Sequence, residues 1–216
     1  MNIVDKIAAD WKGAQSSSEE DLWGWQWGGS TSIDQARDFL SPRVSGRVLE
    51  VGCGGGKYTK LLCEMADEVI SSDVHEVALE EASAYAPEAE YVLIDGEGLR
   101  PGFKYDYFDV VVILDVLQHL PQSLTLKYLI DARKVGFSIV FDLPDVTLSH
   151  GREHFHRAAC NKVWRKLFDL GYMTYYSEDM IEVMMDIAGW VPEKIGEMGC
   201  LGPRDSVYYG VRGEQK

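Results

Sequence analysis

Five short runs in the first two thirds of the chain are rich in β-branched and apolar residues: 47 to 51, 68 to 73, 90 to 94, 108 to 114 and 135 to 141. Most of the gaps between them carry apolar residues at three- and four-residue steps, the spacing of a single helix face. Strands that alternate with helices build a parallel sheet, because parallel neighbours need a crossover between them. The run FDVVVIL at 108 to 114 is almost uninterruptedly apolar, as a central strand covered on both faces must be. Upstream, the pattern predicts a short helix at 3 to 11, a loop holding Trp23, Trp25 and Trp27, and a helix at 33 to 40 that stops before Pro42.

Beyond Asp142 the pattern changes. Residues 144 to 176 hold His150, His154 and His156, several arginines, and Tyr172, Tyr175 and Tyr176, with a helical stretch predicted at 157 to 170. This segment reads as an insertion. Ser177 then caps a helix whose apolar positions, in MIEVMMDIAGW, recur at helical steps until Gly189. Strands at 192 to 199 and 206 to 212, separated by Gly202 and Pro203, read as a hairpin and give the sheet an antiparallel edge.

The chain's 216 residues amount to about 1.4 times a typical domain, so we expect one elaborated domain. Its 21 basic and 35 acidic residues give a net charge of -14, the wrong sign for a surface that neutralises phosphates, so nucleic-acid and anionic-membrane partners are not expected. With 46% hydrophobic residues the chain can collapse, which argues against wholesale disorder. No apolar run approaches a membrane span, and a cytoplasmic location is expected. Cys53, Cys63, Cys160 and Cys200 form no C-x-x-C pair, so four reduced thiols are expected.

The most informative stretch is Glu50-Val51-Gly52-Cys53-Gly54-Gly55-Gly56-Lys57-Tyr58-Thr59, between the first strand and a helix. Glycines let the backbone turn sharply and approach a ligand, and the helix start offers free N–H groups. Asp73, at the end of the second strand, stands where an acid can accept both hydroxyl hydrogens of a ribose. The dinucleotide pattern G-x-G-x-x-G would need glycine where Lys57 stands, which weakens a hydride-transfer reading.

These residues resemble the first motif of the class I S-adenosylmethionine-dependent methyltransferases, which has an acid two residues before its first glycine. Asp73-Val74 with the following Ala78 to Ala82 resembles that family's ribose acid and its helix, Asp95-Gly96 the pair at the adenine, and Leu114-Asp115-Val116-Leu117-Gln118-His119-Leu120 the turn beneath the methionine part. The resemblance implies an α/β, Rossmann-like, doubly wound, seven-stranded and mostly parallel sheet with an antiparallel C-terminal edge strand. It implies S-adenosylmethionine as cofactor and S-adenosylhomocysteine as product. It also implies that Glu50, Gly52, Cys53, Gly54, Asp73, Val74, Asp95, Gly96 and Asp115 line the cofactor site. The domain would divide into a cap or lid at 1 to 45, a cofactor core at 46 to 142, a substrate-side insertion at 143 to 176, and a closing helix and hairpin at 177 to 216.

A sulfonium already activates its methyl group, so the protein's task is to align an acceptor and exclude water. An acceptor that loses a proton needs a base. His119, just past the fourth strand, is the first candidate and His154 the second. Arg152 and Arg157 are candidates for gripping an anionic group of the acceptor, with Trp27 and Tyr172 as aromatic walls. A metal at His150, His154, His156 and Cys160 is not expected; nor is one at Asp115 and Asp142, where Leu143 replaces the amide of the family's metal-dependent branch. The sequence Leu114-Asp115-Val116-Leu117 stands where an Asn-Pro-Pro-Tyr would mark amide or adenine methylation. A small-molecule acceptor is therefore expected. The alternatives are a silent cofactor-binding regulator and a protein methyltransferase acting on a basic tail.

Overall fold

The computed structural model describes residues 29–99, 102–160, 174–198 and 204–213. Helix α1 spans Gly29–Leu40 and is followed by β1 (Arg47–Val51), α2 (Lys57–Cys63), β2 (Glu68–Asp73), α3 (Glu76–Tyr85) and β3 (Glu90–Leu93). Next come β4 (Phe108–Ile113), a 3-10 turn (Leu117–His119), α4 (Gln122–Val135) and β5 (Gly136–Pro144). The chain closes with α5 (Ser149–Cys160), α6 (Glu178–Ala188), β6 (Trp190–Met198) and β7 (Asp205–Arg212). The expected helix at 3 to 11, the tryptophan loop and Tyr172 lie outside the described residues.

The seven strands form one sheet in the order β3-β2-β1-β4-β5-β7-β6. β1 to β5 run parallel, whereas β7 is antiparallel to both β5 and β6. The C-terminal hairpin thus supplies the antiparallel edge, with its second strand taking the inner place. Alternation along β4 sorts the core: Val111 and Ile113 pack with Leu129, Ala132, Met185 and Trp190, while Val110 and Val112 pack with Leu40, Leu61 and Leu62. Helices therefore cover both faces, as the apolar run of β4 requires.

Local chemistry sets the boundaries. The Ser177 hydroxyl accepts the Met180 N–H at 3.3 Å, and Gly189 ends α6 with φ +82. β5 starts directly after α4 without a glycine-rich turn; a Cβ on Gly136 would meet Val111 Cγ2 at 2.5 Å, so glycine there permits close strand packing. β5 also runs on to Pro144, past the expected 141, because β7 pairs with Asp142, Leu143 and Pro144. Most of the helical stretch expected at 157 to 170 lies outside the described residues, and a helix occupies Ser149–Cys160. Asp145 prepares its entry by accepting the Thr147 N–H at 2.8 Å, a side-chain turn that apolar periodicity does not register.

The sheet order reverses between β1 and β4, the crevice where open α/β sheets bind ligands beyond the strands' C-terminal ends. Both the glycine loop after β1 and the turn after β4 open there.

Candidate active site

The glycine loop is moored to β2. The N–H groups of Gly52 and Cys53 both donate to the Ser72 carbonyl, at 2.7 and 3.0 Å. Gly54 N–H donates to Asp73 Oδ2 at 3.0 Å, and His75 N–H to Asp73 Oδ1 at 3.0 Å. Gly52, Gly54 and Gly56 all take positive φ, and a Cβ on Gly52 would overlap Val116 Cγ2. The loop thus presses against the turn after β4, and glycine is required at that approach. Burial raises the Asp73 carboxyl above its ordinary range, against the pull of the Gly54 and His75 N–H groups.

Glu50 lies beneath the loop, 3% exposed. Its Oε2 accepts the hydroxyls of Thr59 at 2.5 Å and Ser71 at 2.7 Å, tying β1 to α2 and β2. Burial pushes its carboxyl up to about 7, although both hydroxyls favour the charged form. Cys53 is buried as well, and burial raises its thiol, which suits packing rather than nucleophilic chemistry.

Asp115 leaves β4 with φ +59, rare for a residue other than glycine. Its Oδ2 accepts from Lys57 Nζ at 3.1 Å and Tyr58 Oη at 2.8 Å, so the loop–helix junction and the β4 exit are bonded across the crevice. Burial would raise the Asp115 carboxyl, but Lys57, Tyr58 and Arg204 outweigh it and hold the carboxyl below its usual range. The Asp115 N–H donates to Asp142 Oδ1 at 2.8 Å. Beside them, Arg204 grips both oxygens of Asp205, at 2.7 and 2.6 Å, and also donates to Gln118 Oε1 at 2.9 Å.

The remaining expected residues divide. Val74 is half-buried behind Asp73. Asp95 is exposed at the end of β3, where it accepts the Glu97 N–H at 2.9 Å, and Gly96 follows with φ +78. His119 is half-buried in the turn after β4, with its Nε2 3.1 Å from Gln118 Nε2. His154 Nδ1 lies 2.5 Å from Tyr175 Oη; burial, then Arg204 and Arg157, push that imidazole down to about 4. Arg152 and Arg157 are both exposed on α5, and Arg157 pairs with Glu153. Trp27 lies outside the described residues. Arg204 and Asp205 carried no signal along the chain, because an Arg-Asp pair at the start of a strand is commonplace until the fold sets it beside Asp115.

Residues 49–135 match a family model described as a methyltransferase domain. Magnesium protoporphyrin IX methyltransferase from Synechocystis PCC 6803, solved with bound SAH, superposes on this chain with a TM-score of 0.65 at 18% identity, covering 99% of this chain and 89% of that one, and so shares its fold. The ubiquinone biosynthesis O-methyltransferase of Thiobacillus denitrificans is 31% identical over 88 residues, 39% of this chain and 38% of that protein. A probable non-canonical nonribosomal peptide synthetase, CymA, from Salinispora arenicola is 28% identical over 136 residues, 56% of this chain and 2% of its own length. The chain thus spans well under two thirds of either relative. Among its described residues, no helix is long and apolar enough to cross a membrane.

Proposed function

We propose that the protein transfers a methyl group from S-adenosylmethionine to an oxygen, nitrogen or carbon of a small-molecule acceptor by direct in-line displacement. The observation that carries this reading is the joining of the glycine loop to Asp73 on one side and, through Lys57, to Asp115 on the other. The donor set fits the cofactor. Asp73 suits ribose hydroxyls, Asp95 an adenine amine, and Asp115 with Lys57 the ammonium and carboxylate of an amino acid. Gly52, Cys53 and Gly54 keep the loop low enough for close approach, Glu50 holds it from below, and Val74 and Gly96 border the two acids.

The cofactor supplies a methyl group on a positively charged sulfur. The protein's residues orient and exclude water, and positioning of this kind is worth about 7 to 11 kcal/mol of a barrier. His119 is the base in this reading, since its turn adjoins Asp115. His154 stays neutral at pH 7 and is a weak proton acceptor, so its contact with Tyr175 suits it to orienting the acceptor. Residues 46 to 142 form the cofactor core of one domain, 143 to 176 the acceptor side, 1 to 45 a cap carrying Trp27, and 177 to 216 the closing helix and hairpin. The ubiquinone relative, an O-methyltransferase, supports oxygen as the acceptor atom.

Calorimetry with S-adenosylmethionine, followed by a screen of hydroxylated acceptors for S-adenosylhomocysteine release, tests the reading. We expect binding at micromolar strength or tighter, and a folded sample that does not bind the cofactor overturns it. His119→Ala should lower turnover about 100-fold or more if His119 removes the acceptor's proton.

A further inference from the structure

The sheet edge where the exit of β4, the end of β5 and the start of β7 meet holds more negative charge than its bonded cations balance. Asp115, Asp142 and Asp205 each bring a carboxylate oxygen within 4.8 Å of the others. Lys57 is bonded to Asp115 and Arg204 to Asp205. Three acids against two bases leave one charge over, and it falls on Asp142, which is 2% exposed. Asp142 Oδ1 accepts the Asp115 N–H, while its Oδ2 is buried without a hydrogen-bond partner. A buried ionised carboxylate with one oxygen unsatisfied is the costliest state available to this group, and a proton removes both faults by cancelling the charge and turning a stranded acceptor into a donor.

We propose that Asp142 is a neutral carboxylic acid at working pH and the positioning residue for Asp115, its carbonyl oxygen taking the Asp115 N–H and its O–H reaching the carboxylates beside it. Deepening the methyl-transfer reading, this accounts for the left-handed backbone at Asp115. That conformation is unfavourable for aspartate, and here it is anchored by the hydrogen bond from Asp142. Through it, Oδ2 of Asp115 is presented to Lys57 and Tyr58 across the crevice. The groups facing Asp142 are Asp115 from the β4 exit, Arg204 from just ahead of β7, Asp205 from the first position of β7, and Lys57 behind Asp115. Burial, then the charges of Asp115 and Asp205, raise the Asp142 carboxyl well above its ordinary range, against the Asp115 N–H and Arg204. A divalent cation would cancel the same excess, but it would have to share the oxygens that Lys57 and Arg204 already hold.

Infrared spectra of the full chain with isotope-labelled aspartate decide the protonation state without any assay of activity. A protonated-carboxyl band at neutral pH that disappears in Asp142→Asn is expected; a wild-type spectrum without it overturns the proposal, as does a band that Mg²⁺ abolishes. The positioning role is read from kinetics. Asp142→Asn keeps the accepting oxygen and should hold KM for S-adenosylmethionine within about 3-fold, whereas Asp142→Leu should raise it at least about 10-fold with a smaller change in kcat. Equal damage by both variants overturns the positioning role. If Asp142→Leu does not fold, thermal midpoints decide: wild type should lose stability relative to Asp142→Asn as pH rises through the raised pKa, and parallel profiles overturn the proposal. A chain that shows the band yet never binds the cofactor refutes the methyl-transfer reading and leaves the protonation of Asp142 standing.

Discussion

Asp73 accepts the Gly54 N–H at 3.0 Å, so the carboxylate proposed to hold a ribose is also the mooring of the glycine loop. Because its other oxygen takes the His75 N–H, both ends of this carboxylate are oriented before any ligand arrives. Preorganisation of this kind lowers the ordering cost of binding.

Asp73→Ala should therefore weaken S-adenosylmethionine by roughly 10-fold to 150-fold, the range for hydrogen bonds to a charged group. Asp73→Asn keeps one accepting oxygen and should lie between the two. Calorimetric titration of the three proteins checks this, and unchanged affinity in the alanine variant would remove the ribose assignment.

Gly52→Ala places a methyl group on Val116 Cγ2 and forces alanine to φ +75. The backbone part alone costs about 1 to 3 kcal/mol. Adding Val116→Ala should relieve the overlap and leave the backbone part, so the double variant is expected to recover some but not all of the stability lost. Urea unfolding of the single and double variants gives the coupling energy directly.

Glu50 has an ordinary carboxyl pKa when unfolded and one of about 7 when folded. A raised folded pKa means that its stabilising contribution is complete at low pH and is lost as pH rises through about 7. Glu50→Gln removes the titration. The stability of wild type relative to this variant should fall by about 2 to 3 kcal/mol between pH 5 and pH 8. Denaturant melts at the two pH values measure it, and a constant difference would mean that the carboxyl is not charged at the expense of the fold.

The parallel strands could be read along the chain because each obeys a local rule: β1 and β2 occupy the very residues expected, and β4 is one residue shorter. Their burial on both faces writes an apolar run that needs no knowledge of neighbours. The glycine loop, Glu50 and Asp73 were legible for a related reason. Their chemistry depends on a short span of backbone between a strand and a helix, and Asp73 closes it from the next strand.

Partners brought together from far apart had no such signature. Lys57 and Asp115 are 58 positions apart, and Arg204 and Gln118 are 86 apart; only the sheet order, with β4 beside β1 and β5 beside β7, sets them within hydrogen-bond distance. Arg157 illustrates the converse. Its type suited an anion, yet α5 directs it to solvent beside Glu153. Residue types and local periodicity thus determined the parallel strands and the glycine loop, whereas the balance of charge around Asp142 was decided by the tertiary structure alone, because desolvation and Coulomb forces act through space between groups the chain holds far apart.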